Sequence, residues 1–182
     1  MSESPIPPQP TVPDDTDWTW VTKRPCPDCG FDPAAVTPET VPGLIREFSA
    51  RFQKAVERRG AAARPAPTTW SVIEYGRHIA DVTEVMTTRL GLILDGGGEP
   101  VDFPSWDQDA AAVEDEYWLS DANATRILIA ERAEGAAKAW AEPEGPQWGW
   151  VGRRGDGAEF TTLSLGRYFA HEWVHHLRDV DA

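Results

Sequence analysis

No part of the sequence approaches the ~20 consecutive apolar residues that a bilayer-crossing helix needs. The first residues, Met1 to Thr16, are rich in Pro and Asp where a secretory leader would be basic and then apolar. The reading is therefore a cytoplasmic protein without a membrane span. Without secretion, the Asn123-Ala124-Thr125 sequon has no glycan to receive, and Arg154-Gly155-Asp156 reads as a polar turn. Basic residues are also scarce: 17 Lys and Arg stand against 30 Asp and Glu, a net charge of −13 with a pI near 4.6. Such a field repels phosphate backbones and anionic lipid surfaces, which excludes nucleic acid and membrane as primary partners. There are only two cysteines, so a tetrahedral site cannot be built from cysteine alone. No internal repeat is visible. What is present is ordinary for a globular chain: 41% hydrophobic and 26% charged residues in 182 positions, enough for one core and one domain.

Residues 1 to 17 hold five prolines and almost no large apolar side chain, and are expected to be a disordered tail ahead of a single domain over 18–182. From 18 to 36 an irregular, aromatic-anchored segment carries Cys26-Pro27-Asp28-Cys29-Gly30. A first helix is expected from a cap at Thr37 with Pro38 at its first position, continuing to about Arg59 with Val41, Leu44, Ile45, Phe48, Phe52 and Val56 at helical spacing. A second opens at the Ser71 and Glu74 capping-box pair and runs to about Leu94, stopping at Gly96-Gly97-Gly98. Those glycines follow a helix and lack a following Lys-Ser/Thr, so they are a helix stop and not a phosphate loop. After a connection over 99–106 and a helical piece over 108–118, a third long helix follows Ser120 to about Ala141. Its buried side is only loosely marked, by Ile127, Leu128, Ala130 or Glu131, and Ala137. Asp156-Gly157 reads as the turn of a short hairpin, and a last helix spans Thr161–Ser164 to Val180. The fold class expected is all-α, a four-helix bundle with a short β-hairpin between helices three and four.

Three of the four histidines lie in the last helix, as His171-Glu172-Trp173-Val174-His175-His176, and the fourth, His78, sits within the second. At about 100° per residue, His171 and His175 are about 40° apart and one turn from each other, the spacing at which two imidazoles reach one metal ion. His176 points about 140° away from His171, and is assigned to the surface or to a supporting hydrogen bond. His78 borders the stripe Tyr75, Ile79, Val82, Met86 and Leu90; if the two helices are neighbours, His78, His171 and His175 can meet across the seam. Three ligands leave a fourth position open, as in a reactive site. His171-Glu172-x-x-His175 is also the zinc-protease pattern, but too few residues follow His175 for a downstream third ligand. Glu172 moreover lies about 100° from His171.

Trp70-Ser71-Val72-Ile73-Glu74-Tyr75-Gly76-Arg77-His78-Ile79-Ala80-Asp81-Val82 and Phe169-Ala170-His171-Glu172-Trp173-Val174-His175-His176-Leu177-Arg178-Asp179-Val180 together resemble the DinB family. That superfamily is shared with YfiT-type metal hydrolases and mycothiol-dependent maleylpyruvate isomerase. The likeness spans roughly 37–179, and the segment 20–32 with its two cysteines resembles a DinB subgroup. It implies a four-helix bundle holding a divalent metal, zinc or nickel, through His78, His171 and His175. In some relatives a carboxylate replaces the first histidine of the last-helix pair; this sequence keeps His171. It also implies a low-molecular-weight thiol as cofactor or substrate, a small-molecule substrate, and a homodimer.

On that basis the function expected is a metal-dependent thiol transferase, isomerase or hydrolase. The alternative is a metal-containing binding or stress-response module without turnover. Catalytic candidates are Glu172, Asp81 and Tyr168. Asp81 and Asp179 either receive the free imidazole N–H of His78 and His175 or are solvated helix charges. Arg89 and Arg178 either hold an anionic substrate or pair with the acidic surface. Trp173 and Trp150 are candidates for a pocket wall. Cys26 and Cys29 have three readings: reduced structural thiols, a redox pair, or a metal half-site completed by a dimer mate or a histidine.

Overall fold

The computed structural model describes residues 8–12 and 16–182. Helices form where the caps and apolar spacing place them: α1 (Val41–Val56), α2 (Val72–Asp95), α4 (Ala122–Ala139) and α5 (Thr162–Asp179), with a short α3 (Gln108–Glu114) between the second and the fourth. Ser71 caps α2 by accepting from Glu74 N, while Glu74 Oε2 accepts from Ser71 N at 2.8 Å. Thr161 and Ser164 close the same reciprocal box at the start of α5. Asp121, one residue beyond the expected Ser120, caps α4.

Two expectations need correction. Thr37 does not cap α1: its N–H donates to Thr40 Oγ1 in a separate turn, and the helix starts at Val41 with Pro42 in its first turn. The buried side of α4 is Thr125, Ile129, Ala133, Ala136 and Ala137, while Ile127 is exposed. Small residues let this helix pack closely, which is why large apolar residues did not mark its inner face.

The extensive helix pairings are α1 with α4, α4 with α2, α2 with α5, and α5 with α1. The order around the bundle is therefore α1, α4, α2, α5, with α1 diagonal to α2 and α4 diagonal to α5. Gly166 of α5 lets Trp140 lie against the helix backbone: a β-carbon there would sit 2.9 Å from the indole ring. A three-stranded sheet covers one end. The expected hairpin is β2 (Val151–Arg154) against β3 (Glu159–Thr161), and β1 (Val101–Phe103), from the connection read as a loop, adds a parallel strand beside β2.

Two short 3-10 turns, Thr19–Thr22 and Pro33–Ala35, shape the segment before α1, and its Val21, Cys26, Phe31 and Val36 are buried in the main core. The expected N-terminal tail falls largely outside the described residues. Within it, Val12 N donates to Thr68 O and Gln9 O accepts from Arg64. Among the described residues no helix is long and apolar enough to cross a membrane.

Candidate metal centre

Packing of α2 against α5 sorts the four histidines into two groups. His78, fully buried on α2, faces His176 of α5, their Nε2 atoms 3.1 Å apart. Glu172, one turn before His176 on the same face, brings Oε2 to 3.6 Å from His176 Nε2. These three ligand atoms form one cluster. His171 and His175 face the N-terminal segment, where they meet Cys26 and Cys29.

The expected set of His78, His171 and His175 is therefore not what the fold gathers, and His176, set aside as a surface or supporting residue, stands opposite His78. The physical reason is helix rotation. Residues 171 and 175 form one i, i+4 pair, 172 and 176 form another, and the two are rotated about 100° about the helix axis. Glu172, expected as a catalytic candidate, stands with His78 and His176 as a third potential donor.

The donor set fits a divalent metal. With metal–nitrogen and metal–oxygen distances of about 2.0–2.1 Å, tetrahedral ligands are about 3.3 Å from one another, and the observed 3.1 and 3.6 Å bracket that value. Two imidazoles and one carboxylate are also the ligands of hydrolytic zinc sites that keep a fourth position open. Asp179 Oδ2 accepts from His176 Nδ1 at 2.9 Å, which turns Nε2 toward His78. Asp179 thus serves His176 instead of the expected His175.

The electrostatics follow. Burial pushes His78 down to about 3, with His176 adding to the effect. Burial also opposes the charge on His176, but hydrogen bonds to Asp179 and Glu172 outweigh it and lift the group to about 9. Glu172 and Asp179 resist burial through the same contacts and are held below the usual carboxylate range. Without metal at neutral pH, His176 Nε2–H donates to His78 Nε2, so a proton lies between the ligands.

An open cleft of about 760 Å³ leads to this cluster, its walls including Trp18, Trp70, Tyr75, Trp106, Tyr168 and Arg154. Trp70 and Trp106 lie against the His78 ring at 5.1 and 5.7 Å, and Tyr75 covers His176 at 5.2 Å. The aromatic wall is thus not the expected Trp173, which is a core residue, nor Trp150. A smaller cavity of about 200 Å³ touches Glu172 from the other side, lined by Arg89, Arg154, Tyr168 and Met86. Burial and the neighbouring Glu172 carboxylate raise the Tyr168 phenol to about 12, so it stays a proton donor. Burial and Arg154 lower Arg89, whose guanidinium donates to Pro104 O at 3.1 Å.

Asp81 turns away from the cleft. Its carboxylate accepts from Tyr117 Oη and from Arg132, in a pairing that ties α2 to α4, and it contacts no histidine there. Arg178 is exposed beside Asp179. Sequence reasoning did not place His176 with His78, although its spacing from Glu172 carried the signal, and did not single out Trp106 and Arg154, which no motif marks.

Neither a family model nor a curated protein matches the sequence. Among solved structures the chain is similar to YfiT from Bacillus subtilis, described as a probable metal-dependent hydrolase with an unusual four-helix bundle topology. The likeness has a TM-score of 0.66 and 17% sequence identity over 79% of this chain and 85% of that one. The fold is thus a four-helix bundle of the kind seen in YfiT.

Proposed function

We propose that this chain is a metal-dependent hydrolase acting on a small anionic substrate, with His78, Glu172 and His176 as the metal ligands. One observation carries the reading: two imidazole nitrogens and a carboxylate oxygen at ligand spacing, opening onto a cleft. A divalent metal bound there supplies a Lewis acid that makes a coordinated nucleophile available at neutral pH. Zinc is the first choice for this donor set and nickel the second. Asp179 fixes the tautomer and orientation of His176. Tyr168, protonated, donates to oxygen charge developing beside Glu172, and the Arg154 guanidinium packs over its ring, 5.7 Å from the centroid. Arg89 and Arg154 line the smaller cavity together with Asp156 and Glu172; Arg154 is paired with Asp156, and Arg89 is the cation offered to an anionic group of the substrate. Trp70 and Trp106 pack against the His78 ring and Tyr75 against the His176 ring, which holds both imidazoles in place.

A second reading, transfer or isomerisation with a low-molecular-weight thiol such as mycothiol, is supported by the cleft volume, which is ample for two reactants. The cytoplasmic location and the homodimer belong to this proposal as well. The open cleft argues against a binding module without turnover, which would have a sealed metal.

The test is a hydrolysis screen of small carboxylate- and phosphate-bearing esters and amides with zinc- and nickel-loaded protein, run with and without thiol. Activity that falls at least 100-fold in His78→Ala and in His176→Ala supports the reading. Activity that survives both substitutions overturns it, and turnover seen only with thiol selects the second reading.

A further inference from the structure

Four side chains from distant parts of the chain converge beside the reactive cluster. Cys26 and Cys29 come from the N-terminal segment, His171 and His175 from successive turns of α5, and their ligand atoms all lie within 4.8 Å of one another. Both cysteines are free thiols. Cys26 is 1% exposed and His171 2%. His171 hydrogen-bonds nothing through either ring nitrogen, and His175 Nδ1 is equally unpartnered. A buried polar atom without a partner costs about 1–3 kcal/mol, and such atoms demand an explanation. A cation shared by the four supplies it.

The backbone is built for the same purpose. Cys26 N donates to Phe31 O at 2.8 Å and Gly30 N donates to Cys26 O at 2.9 Å, closing a tight knuckle. Gly30 has φ +75°, a conformation that other residues adopt only with strain. Trp18 packs on the rings of His171 and His175 at 5.2 and 4.9 Å, and Phe31 meets His171 edge-on at 5.4 Å, so the imidazoles are held in place.

We propose that Cys26, Cys29, His171 and His175 form a tetrahedral Cys2His2 zinc site that fastens the N-terminal segment to α5. Two thiolates and two imidazoles are a donor set that selects zinc. The two thiolate charges neutralise the dication, which makes its burial affordable. Four protein ligands leave no open position, so the site is structural, although His171 and His175 border the same cleft as Glu172 and His176. Because the two pairs of α5 ligands differ by a single residue step, fixing residues 171 and 175 also fixes the rotation of 172 and 176. That last consequence rests on the hydrolase reading, whereas the zinc site itself does not.

The experiment uses the full chain, purified with reductant, its metal measured by elemental mass spectrometry and its cobalt form by absorption. The expected wild-type cobalt spectrum has thiolate-to-cobalt charge-transfer bands in the near ultraviolet and intense tetrahedral visible bands. Cys29→Ser weakens the charge-transfer bands, and His171→Asn loses one metal equivalent per chain. His176→Ala keeps both the bands and that equivalent. Bound cobalt without charge-transfer bands in the wild type overturns the proposal, as does a Cys26–Cys29 disulfide in protein isolated without reductant. Zinc content unchanged in Cys26→Ser overturns it too. The wild-type spectrum decides even if a variant fails to fold, and loss of hydrolysis in His176→Ala with the cobalt bands intact separates this site from the reactive one.

Discussion

Replacing Asp179 by asparagine separates two effects of its carboxylate on His176. Its Oδ2 lies 2.9 Å from His176 Nδ1, and the side chain is only 20% exposed, so solvent screens the contact little. As an acceptor it orients the ring and makes Nε2 a better metal donor; losing such a partner costs about 10–100-fold in affinity, or about 1.4–2.8 kcal/mol. As a charge it helps hold His176 at about 9. At pH 7 a metal must then displace a proton that is favoured about 100-fold, a competition of about 3 kcal/mol.

The substitution removes both effects, and they have opposite signs. Above pH 9 His176 is deprotonated in either protein, and Asp179→Asn is expected to bind the metal of the reactive cluster about 10–100-fold more weakly. Toward pH 7 the wild type meets proton competition that the variant largely escapes, so the gap narrows. The assay is competition against a chromogenic chelator at pH 7 and pH 9.5, with His78→Ala as the control that isolates this cluster. A gap equal at both pH values, or one that widens toward pH 7, would refute the account of His176.

Tyr117→Phe deprives the Asp81 carboxylate of its phenol donor within the core and is expected to cost about 1–3 kcal/mol in urea unfolding while metal content and turnover stay unchanged. Lost turnover at unchanged stability would restore a catalytic role to Asp81. Gly166→Ala sets about 1 kcal/mol of helix propensity against about 1–3 kcal/mol of overpacking on a fully buried indole, so the melting temperature should fall. A rise would show that Trp140 can shift. Metal-stripped protein should be most stable near pH 6.5. The folded values of His78 and His171, about 3 and about 4, lie below the ordinary 6.5, so the unfolded chain binds more protons and stability falls as pH drops from 6.5 through those values. His176 acts with the opposite sign: the stability it contributes is complete below 6.5 and lost as pH rises through about 9. Equal urea midpoints at pH 5 and pH 7 would contradict this.

Local chemistry determined much of this protein from sequence alone. Ser71 with Glu74 and Thr161 before α5 announced their helices, because a capping side chain acts within four residues of backbone. Asp156-Gly157 likewise announced its hairpin. The concentration of histidines on α5 was enough to place a metal on that helix and on α2. What periodicity could not supply was the rotation of α5 about its own axis. His171 with His175 and Glu172 with His176 are equally good ligand pairs, and the choice between them for His78 depends on how α2 and α5 pack. The same packing placed Asp81 against Tyr117 and Arg132, brought Arg89 and Arg154 to one cavity, and carried Cys26 and Cys29 to the remaining pair of histidines. Those contacts join residues 36 or more positions apart, and no local spacing encodes the side of a helix that a distant segment covers. The sequence by itself put ligand-type residues on α2, α5 and the N-terminal segment, and the tertiary structure decided which of them stand together.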